Sequence, residues 1–201
     1  MPPAERHIAL RPLHPTDLPR LSELDPGFDA DSVLEVQKAG AGLAVSWRIQ
    51  ERRLPAPSDE GRRYDLLPAD LEALRARLTT GDGLYLIAED AGRPIGLLDL
   101  EHTAWNNTAL LWNLLIDRAY RRQGLGRRLF QRAVAWAHRR GLRAIFIETQ
   151  SNNAPACRFY AAQGCELAGV HDLYYSNADR ELGEVALFWA CRVNDDAPGA
   201  E

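Results

Sequence analysis

The chain has 201 residues, a formal net charge of −4 at pH 7 and a hydrophobic content of 46%. These values predict a globular protein with room for a sizeable core. The mild negative charge argues against nucleic-acid binding, which needs a dense cationic face. No segment approaches the ~20 consecutive apolar residues that span a bilayer. We therefore expect a cytoplasmic protein without a nucleic-acid or membrane partner.

The three cysteines, Cys157, Cys165 and Cys191, show no zinc-ligand spacing and no CxxC pair. We expect them to be buried as small apolar side chains in a reducing compartment. We expect no metal site.

The first quarter of the chain predicts two strands and a short helix. Residues 7–13 alternate between apolar and other side chains, as a strand does, and residues 43–54 also favour a strand. The intervening sequence predicts a short helix with Thr16 or Asp17 as its N-cap, then a stretch at 25–42 without clear periodicity. Residues 55–63 predict a polar, mobile loop.

The next elements have clear start and stop signals. Leucines at 71, 74 and 78 recur at helical spacing, with Pro68 at the start and Gly81 after the end. Residues 84–102 predict a hairpin that turns on Gly92. The apolar run 109–117 is typical of a strand that is buried on both faces.

The last part of the chain alternates between strands and helices. An apolar stripe of Leu129, Phe130, Ala133, Val134 and Ala137 predicts a helix that ends at Gly141. A strand at 144–148 and a helix that begins near Pro155, is capped by Asn152 or Asn153 and ends at Gly164 come next. Two closing strands follow, at 165–176 and 184–193. The order predicts a mixed α/β sheet.

The segment RRQGLGRR, residues 121–128, lies between the predicted strand 109–117 and the following helix. Backbone N–H groups at a helix start can bind an anion, and glycines let the backbone approach it closely. A Rossmann motif would need a glycine in place of Leu129, and a P-loop would need a GK[ST] ending. A plain turn before an arginine-coated helix is the structural alternative.

A second motif, NNAPACRFYAAQGCEL, begins about thirty residues later. Together with RRQGLG it resembles the acetyl-CoA-binding region of the GNAT N-acetyltransferases. The longer run from FIETQ to EVALFWA looks most like the streptothricin acetyltransferase branch. The resemblance covers residues ~80 to 191. It implies a mixed, mostly antiparallel central sheet with a parallel, splayed strand pair, flanked by helices.

The resemblance also implies a domain organisation. We expect a single acetyltransferase domain over residues 1–193, with a CoA-binding core at 80–191 and an N-terminal elaboration at 1–64. Residues 194–201 are expected to form a disordered tail.

The resemblance implies that acetyl-CoA binds to the glycine turn, the end of the preceding strand and one asparagine. These cofactor-binding residues are Leu115, Ile116, Arg121, Arg122, Gln123, Gly124, Leu125, Gly126, Arg127 and Asn153. It further implies that Tyr160 lies near the thioester sulfur, where a phenol can donate a proton to the leaving thiolate. Packing of helix against sheet is the structural alternative for Tyr160.

The acceptor amine must lose a proton before it attacks, so a carboxylate or a water held by one is expected as base. The strand residues Leu111–Leu114 carry no acid, unlike the streptothricin branch. Glu101 and Glu148 are the candidate bases, with Asp99 as a further one. Trp105, Trp112 and Tyr174 could line an acceptor pocket or belong to the core.

The sequence thus predicts an enzyme that acetylates a primary amine of a small molecule, with streptothricin-type antibiotics as the leading acceptor by resemblance. Polyamine or protein amines are alternatives, and so is a non-catalytic acyl-CoA sensor or scaffold. A homodimer is left open.

Overall fold

The computed structural model of the chain describes residues 8–55 and 66–193. Its strands are β1 (Ile8–Pro12), β2 (Ser32–Ala39), β3 (Ser46–Arg53), β4 (Gly83–Asp90), β5 (Arg93–Thr103), β6 (Thr108–Ile116), β7 (Ala144–Gln150), β8 (Glu166–His171) and β9 (Ala186–Arg192). Its α-helices are α1 (Pro68–Thr80), α2 (Leu125–Arg139), α3 (Ala154–Ala162) and α4 (Asp179–Leu182), and 3-10 helices occupy Pro15–Glu23, Ala104–Asn106 and Arg118–Tyr120.

The described residues fall into two compact units, one of 8–28, 66–145 and 193 and the other of 29–55 and 146–192. The expectation of a single domain over 1–193 stays a prediction. The expected polar loop, from residue 56 onward, and the expected tail at 194–201 lie outside the described residues.

The first unit is organised around β5. Its strands follow the order β1, β4, β5, β6, and each neighbouring pair is antiparallel. Seven consecutive residues of β5, from Pro94 to Leu100, are buried. This strand lies between β4 and β6 and is contacted by α2 and by the first 3-10 helix. Leucines of the first 3-10 helix pack with Leu74 of α1 and Ile87 of β4 in one apolar cluster.

The first helical segment differs from the sequence prediction. It is a 3-10 helix with His14 at the N-cap, so the prediction of Thr16 or Asp17 at that position is wrong. Asp17 instead acts from the third helical position, where its carboxylate accepts a hydrogen bond from the His14 N–H at 2.9 Å. Pro19 inside the segment removes a backbone donor that an α-helix would use.

The prediction that β6 is buried on both faces is also wrong. Trp112 is 50% exposed, and the strand end Leu114–Ile116 is only half-buried. The pairing of β5 with β6 shifts by one residue at this point, since Asn113 pairs with Asp99 whereas Leu111 pairs with Leu100. This bulge at Trp112 breaks the regular alternation that the apolar run suggests.

The second unit contains most of β7, with β9 next to it and β8 next to β9. It also contains the antiparallel hairpin β2–β3, whose first strand lies in the stretch 25–42 that showed no periodicity. Arg158 of α3 ties this hairpin to the helix, because its guanidinium donates to Asp31 at 2.9 Å, to Ser32 Oγ at 2.8 Å and to Glu51.

The cysteines only partly match expectation. All three are buried, but Cys165 and Cys191 form a disulfide with a Cα–Cα distance of 4.2 Å, whereas Cys157 is a free thiol. The register of β8 and β9 pairs Glu166 with Ala190, which brings these two cysteines side by side. A separation of 26 residues gave no sign of the pairing.

The cap of α3 yields a test of the local fold. The Asn153 side chain accepts the Ala156 N–H at 3.1 Å. Replacing it by alanine should lower the free energy of unfolding by about 1 kcal/mol, because one helix-start donor loses its acceptor. Asn153→Asp keeps an acceptor and should stay within a few tenths of wild type. Urea denaturation measures both, and equal stabilities of the two variants would contradict the cap.

Candidate active site

The turn that connects β6 to α2 is braced by three side chains of the first unit. The buried Asp117 accepts the Ala119 N–H at 3.0 Å, and Gln123 Nε2 donates to the Ala119 carbonyl at 3.0 Å. Arg121 Nε donates to the Ile116 carbonyl at 3.0 Å. The guanidinium of Arg121 therefore fixes the path of the turn.

The backbone conformation of the turn leaves the first amides of α2 accessible to a ligand. Arg122 and Gly124 both have positive φ angles, of 60° and 82°. Gly124 is the N-cap of α2 and has no side chain to satisfy the first amides of the helix. The N–H of Arg128 bonds to the Gly124 carbonyl at 3.0 Å, so the amides of Leu125 to Arg127 precede the first intrahelical bond.

These amides give the start of α2 a partial positive charge that suits an anion. A Cβ atom built on Gly124 would meet no atom within 4 Å, so the space beside it is open. The arrangement fits the anionic pyrophosphate that the sequence predicts for residues 121–127. The half-buried Leu115 and Ile116, which pair with Leu97 and Gly96 of β5, lead directly into this turn.

A polar cluster occupies the bulged part of β5 and β6. Asp99 is fully buried, and Arg77 of α1 donates to it from Nε at 3.1 Å and from a terminal nitrogen at 2.5 Å. Asn113 Nδ2 donates to the same carboxylate at 2.9 Å. Asp99 is thus held as the anionic partner of Arg77.

Glu101 lies two residues further along β5. Its carboxylate accepts a hydrogen bond from Trp112 Nε1 at 2.8 Å, and the indole of Trp112 lies 4.7 Å from the Arg77 guanidinium. Trp105, on the 3-10 helix after β5, is 85% exposed. The two tryptophans are therefore surface residues and do not belong to the core.

The other sequence-predicted residues lie in the second unit. Asn153 caps α3 through its carbonyl oxygen, so its Nδ2 group is still able to donate. Tyr160, in the next turns of the same helix, is buried. Glu148 lies on β7 and accepts a hydrogen bond from the hydroxyl of Tyr175.

Both Glu148 and Tyr160 have a raised pKa, and the charge of Glu148 contributes to the shift of Tyr160. Burial raises the pKa of the Glu148 carboxyl above its ordinary 4.5, and the hydrogen bond from Tyr175 opposes this effect. Burial also raises the pKa of Tyr160, and the charges of Cys157 and Glu148 add to that rise. The second unit thus contains a carboxylate with a raised pKa and a buried phenol that stays protonated at neutral pH.

Cys157, on the same helix, is not a nucleophile in this environment. Burial raises the pKa of its thiol to about 11, against a lowering by the hydrogen bond to Thr149. A thiolate is the reactive form, so this side chain is inert at neutral pH.

Two features of the site have no local signal in the sequence. Tyr175, the partner of Glu148, was visible only as the second tyrosine of the run LYYS after β8. The Arg77–Asp99 pair joins residues 22 positions apart, and no local pattern reveals it. Among residues 8–55 and 66–193, no group of three His, Cys, Asp or Glu side chains is arranged to hold a metal ion. None of the helices described is long and apolar enough to cross a membrane.

Comparison with known proteins identifies the family. Residues 47–165, more than half of the chain, match the acetyltransferase (GNAT) family. The chain belongs to the GNAT acetyltransferase family.

Three relatives place the chain within this family. It is 28% identical to the streptothricin acetyltransferase of Streptomyces lavendulae over 89% of this chain and 91% of that enzyme. It is 34% identical to the Escherichia coli streptothricin acetyltransferase over 95 residues, which are 47% of this chain and 54% of the relative. The chain therefore spans about half the length of that E. coli enzyme.

The third relative is a solved structure from Bacillus anthracis, provisionally assigned as a streptothricin acetyltransferase and in complex with acetyl coenzyme A. It superposes with a TM-score of 0.71 at 26% identity, over 92% of this chain and 99% of that one. The mixed α/β GNAT fold expected from the sequence is confirmed.

The Arg77–Asp99 pair yields a stability test. Asp99→Ala removes one partner of a buried ion pair and should lower the free energy of unfolding by about 3–5 kcal/mol. Glu101→Ala on the same strand removes a more accessible carboxylate and should change it by less than about 0.5 kcal/mol. Chemical denaturation measures both. Similar losses in the two variants would show that Asp99 is not the structural carboxylate of this cluster.

Proposed function

We propose that this GNAT protein transfers the acetyl group of acetyl-CoA to a primary amine of a small molecule, with streptothricin-type antibiotics as the acceptor class. The observation that carries the proposal is the presence, within one compact unit, of a carboxylate with a raised pKa, Glu148, and a buried phenol, Tyr160, whose pKa the Glu148 charge raises further. The similarity to streptothricin acetyltransferases along nearly the whole chain supports the acceptor class.

When bound, acetyl-CoA supplies an activated acetyl group as a thioester. The amides of Gly124 to Arg127 would hold its pyrophosphate at the start of α2, where Gly124 leaves room for close approach. Arg121 and Gln123 keep the turn in place through their bonds to backbone carbonyls. Arg122 contributes the left-handed backbone step before Gly124.

The family resemblance assigns two further groups to the arm of the cofactor. In the first unit, the backbone of Leu115 and Ile116 at the end of β6 would orient the acetyl group. Asn153 donates from Nδ2 while its carbonyl oxygen caps α3.

Glu148 is the favoured base. Most aliphatic amines are protonated at neutral pH, with a reference pKa of about 10.4 for lysine. A base works best when its pKa lies near the working pH, and burial moves Glu148 in that direction. Glu101 is the second candidate, although its carboxylate is engaged by Trp112. Tyr160, which is protonated at neutral pH, would donate its proton to the leaving thiolate.

The cytoplasmic location and a homodimer remain predictions. Light scattering of the purified chain measures the second directly.

The proposal is tested by incubating the protein with acetyl-CoA and a panel of amines that includes streptothricin, a polyamine and a peptide with a free amino terminus. Mass spectrometry should find streptothricin heavier by one acetyl group, with release of one thiol. Binding of acetyl-CoA without turnover on any amine would favour the sensor, and selective acetylation of the peptide would overturn the acceptor class.

The glycine turn yields a binding prediction. Gly124→Ala places a Cβ where the pyrophosphate approaches and strains a residue with φ of 82°. Calorimetry should show acetyl-CoA affinity weakened by about tenfold or more. Gly141→Ala, which replaces a glycine of similar φ at the other end of α2, imposes comparable strain and should leave affinity unchanged. Equal effects of the two substitutions would argue against the turn as the cofactor site.

Glu148 yields a pH prediction. The base is mostly ionised only at pH values above its pKa, and this pKa is raised above the ordinary 4.5 of glutamate. The pH profile of kcat/KM should therefore have an ascending limb whose midpoint lies above pH 4.5. Glu148→Gln should abolish this limb and lower kcat by about 10²-fold or more. Glu101→Gln is the matched control. Loss of the limb in Glu101→Gln and its retention in Glu148→Gln would reverse the assignment.

A further inference from the structure

The segment between β8 and α4 is a turn held by one buried carboxylate. Asp179 accepts the backbone N–H groups of Tyr174 at 2.8 Å, Tyr175 at 3.0 Å and Ser176 at 2.7 Å. Burial alone would raise the pKa of Asp179, but these bonds and that of the Ser176 hydroxyl outweigh it and lower the pKa. The two tyrosines are therefore presented by a rigid backbone.

Both tyrosines reach the surface although they pack on other rings. Tyr174 is 51% exposed and Tyr175 is 38% exposed. Tyr174 makes edge-to-face contacts with His171, Tyr175 and Phe188, at centroid distances of 5.6, 5.1 and 5.4 Å. An edge-to-face cluster fixes the orientation of its rings, and an exposed ring face attracts cations.

Glu148 lies at the side of this cluster, where the Tyr175 hydroxyl donates to its Oε1 atom. A carboxylate has about four lone-pair positions, so one hydrogen bond leaves acceptor capacity for a ligand. Aromatic faces beside a carboxylate that is partly removed from water form a site of the kind that recognises an ammonium group.

Asp172, at the start of the turn, is paired with two cations. Asp172 bonds to Lys38 of β2 at 3.1 Å and to Arg180 of α4 at 3.4 Å. Asp179 is occupied by backbone amides, whereas Glu148 contacts the side chain of Tyr175.

We propose that Tyr174, Tyr175 and Glu148 form the subsite that binds the acceptor as a protonated aliphatic primary amine. The inference rests on the proposed function and names the residues that recognise the acceptor. The ring faces attract the ammonium group, and Glu148 accepts one of its protons. In this step an N–H bond of R–NH3⁺ breaks and an O–H bond forms on Glu148, which gives the neutral amine R–NH2 and a carboxylic acid.

Tyr175 is a positioning residue in this scheme. Its hydroxyl orients Glu148 and stabilises the ionised carboxylate, against the burial that favours the neutral acid. The Glu148 charge also raises the pKa of Cys157 and of Tyr160 on α3, and burial keeps both of these groups protonated at neutral pH. Removing the Tyr175 hydroxyl should therefore raise the pKa of Glu148 further.

Binding is tested without turnover, by following tyrosine ring signals in nuclear magnetic resonance during titration with butylammonium chloride. Sodium chloride at equal ionic strength is the salt control. Wild type should show saturable shifts at Tyr174 and Tyr175. Tyr174→Leu should weaken binding by about tenfold through loss of the ring face, and Tyr174→Phe should restore it. Leu173→Ala, an exposed residue of the same turn, should bind as wild type.

The role of Tyr175 is tested by titrating the carboxyl carbon of Glu148 in wild type and in Tyr175→Phe. The midpoint should move to higher pH in the variant and stay in place in Leu173→Ala. Absence of saturable butylammonium shifts, or an unmoved Glu148 midpoint, would overturn the subsite. Failure of wild type to acetylate any amine while these shifts are seen would overturn only the proposed function.

Discussion

The start of α2 is the constraint on which the account of this protein depends. A helix cannot satisfy its first amides internally, and Gly124 offers no side chain to do so. Hydrogen bonds between three side chains and the backbone hold this helix start in one position. The side chains are Asp117, Arg121 and Gln123. Unsatisfied N–H donors do not stabilise the free protein, but they can bind an anion. The conformation of the turn is therefore consistent with an anion-binding site.

Carboxylates that are removed from water have two different roles in this protein. Asp99 and Asp179 are saturated, one by Arg77 and Asn113 and the other by backbone amides, so they shape the fold. Glu148 receives a phenol in place of a cation, and its pKa stays raised. Asp99 and Asp179 have several partners that stabilise the ionised carboxylate, as expected for structural acids. Glu148 has fewer such partners and a raised pKa, which suits proton transfer.

The sequence predicted the elements whose signals are local. Helix α1 lies between Pro68 and Gly81 as expected, and the hairpin β4–β5 turns at Gly92. The strand β2 was missed, because most of its residues are exposed or half-buried and give no clean alternation. The short helix α4 has too few residues to show periodicity.

For the candidate site, motif resemblance pointed to the turn at 121–127, Asn153 and Tyr160, and Glu148 was one of the candidate bases. The electrostatic environment of these residues could not be predicted from the sequence. The raised pKa of Glu148 depends on burial and on Tyr175, which is 27 residues away. The disulfide between Cys165 and Cys191 depends on strand register in the same way. Contacts of this kind arise from tertiary structure, which a single sequence does not encode in local patterns.

The most direct test of the account is a crystal structure of the protein grown with acetyl-CoA. The account predicts pyrophosphate oxygens about 3 Å from the backbone nitrogens of residues 124–127, at normal hydrogen-bonding distance. It also predicts that Gly124 keeps its left-handed conformation and that Arg121 keeps its bond to the Ile116 carbonyl. Acetyl-CoA bound with its pyrophosphate away from these amides would contradict it.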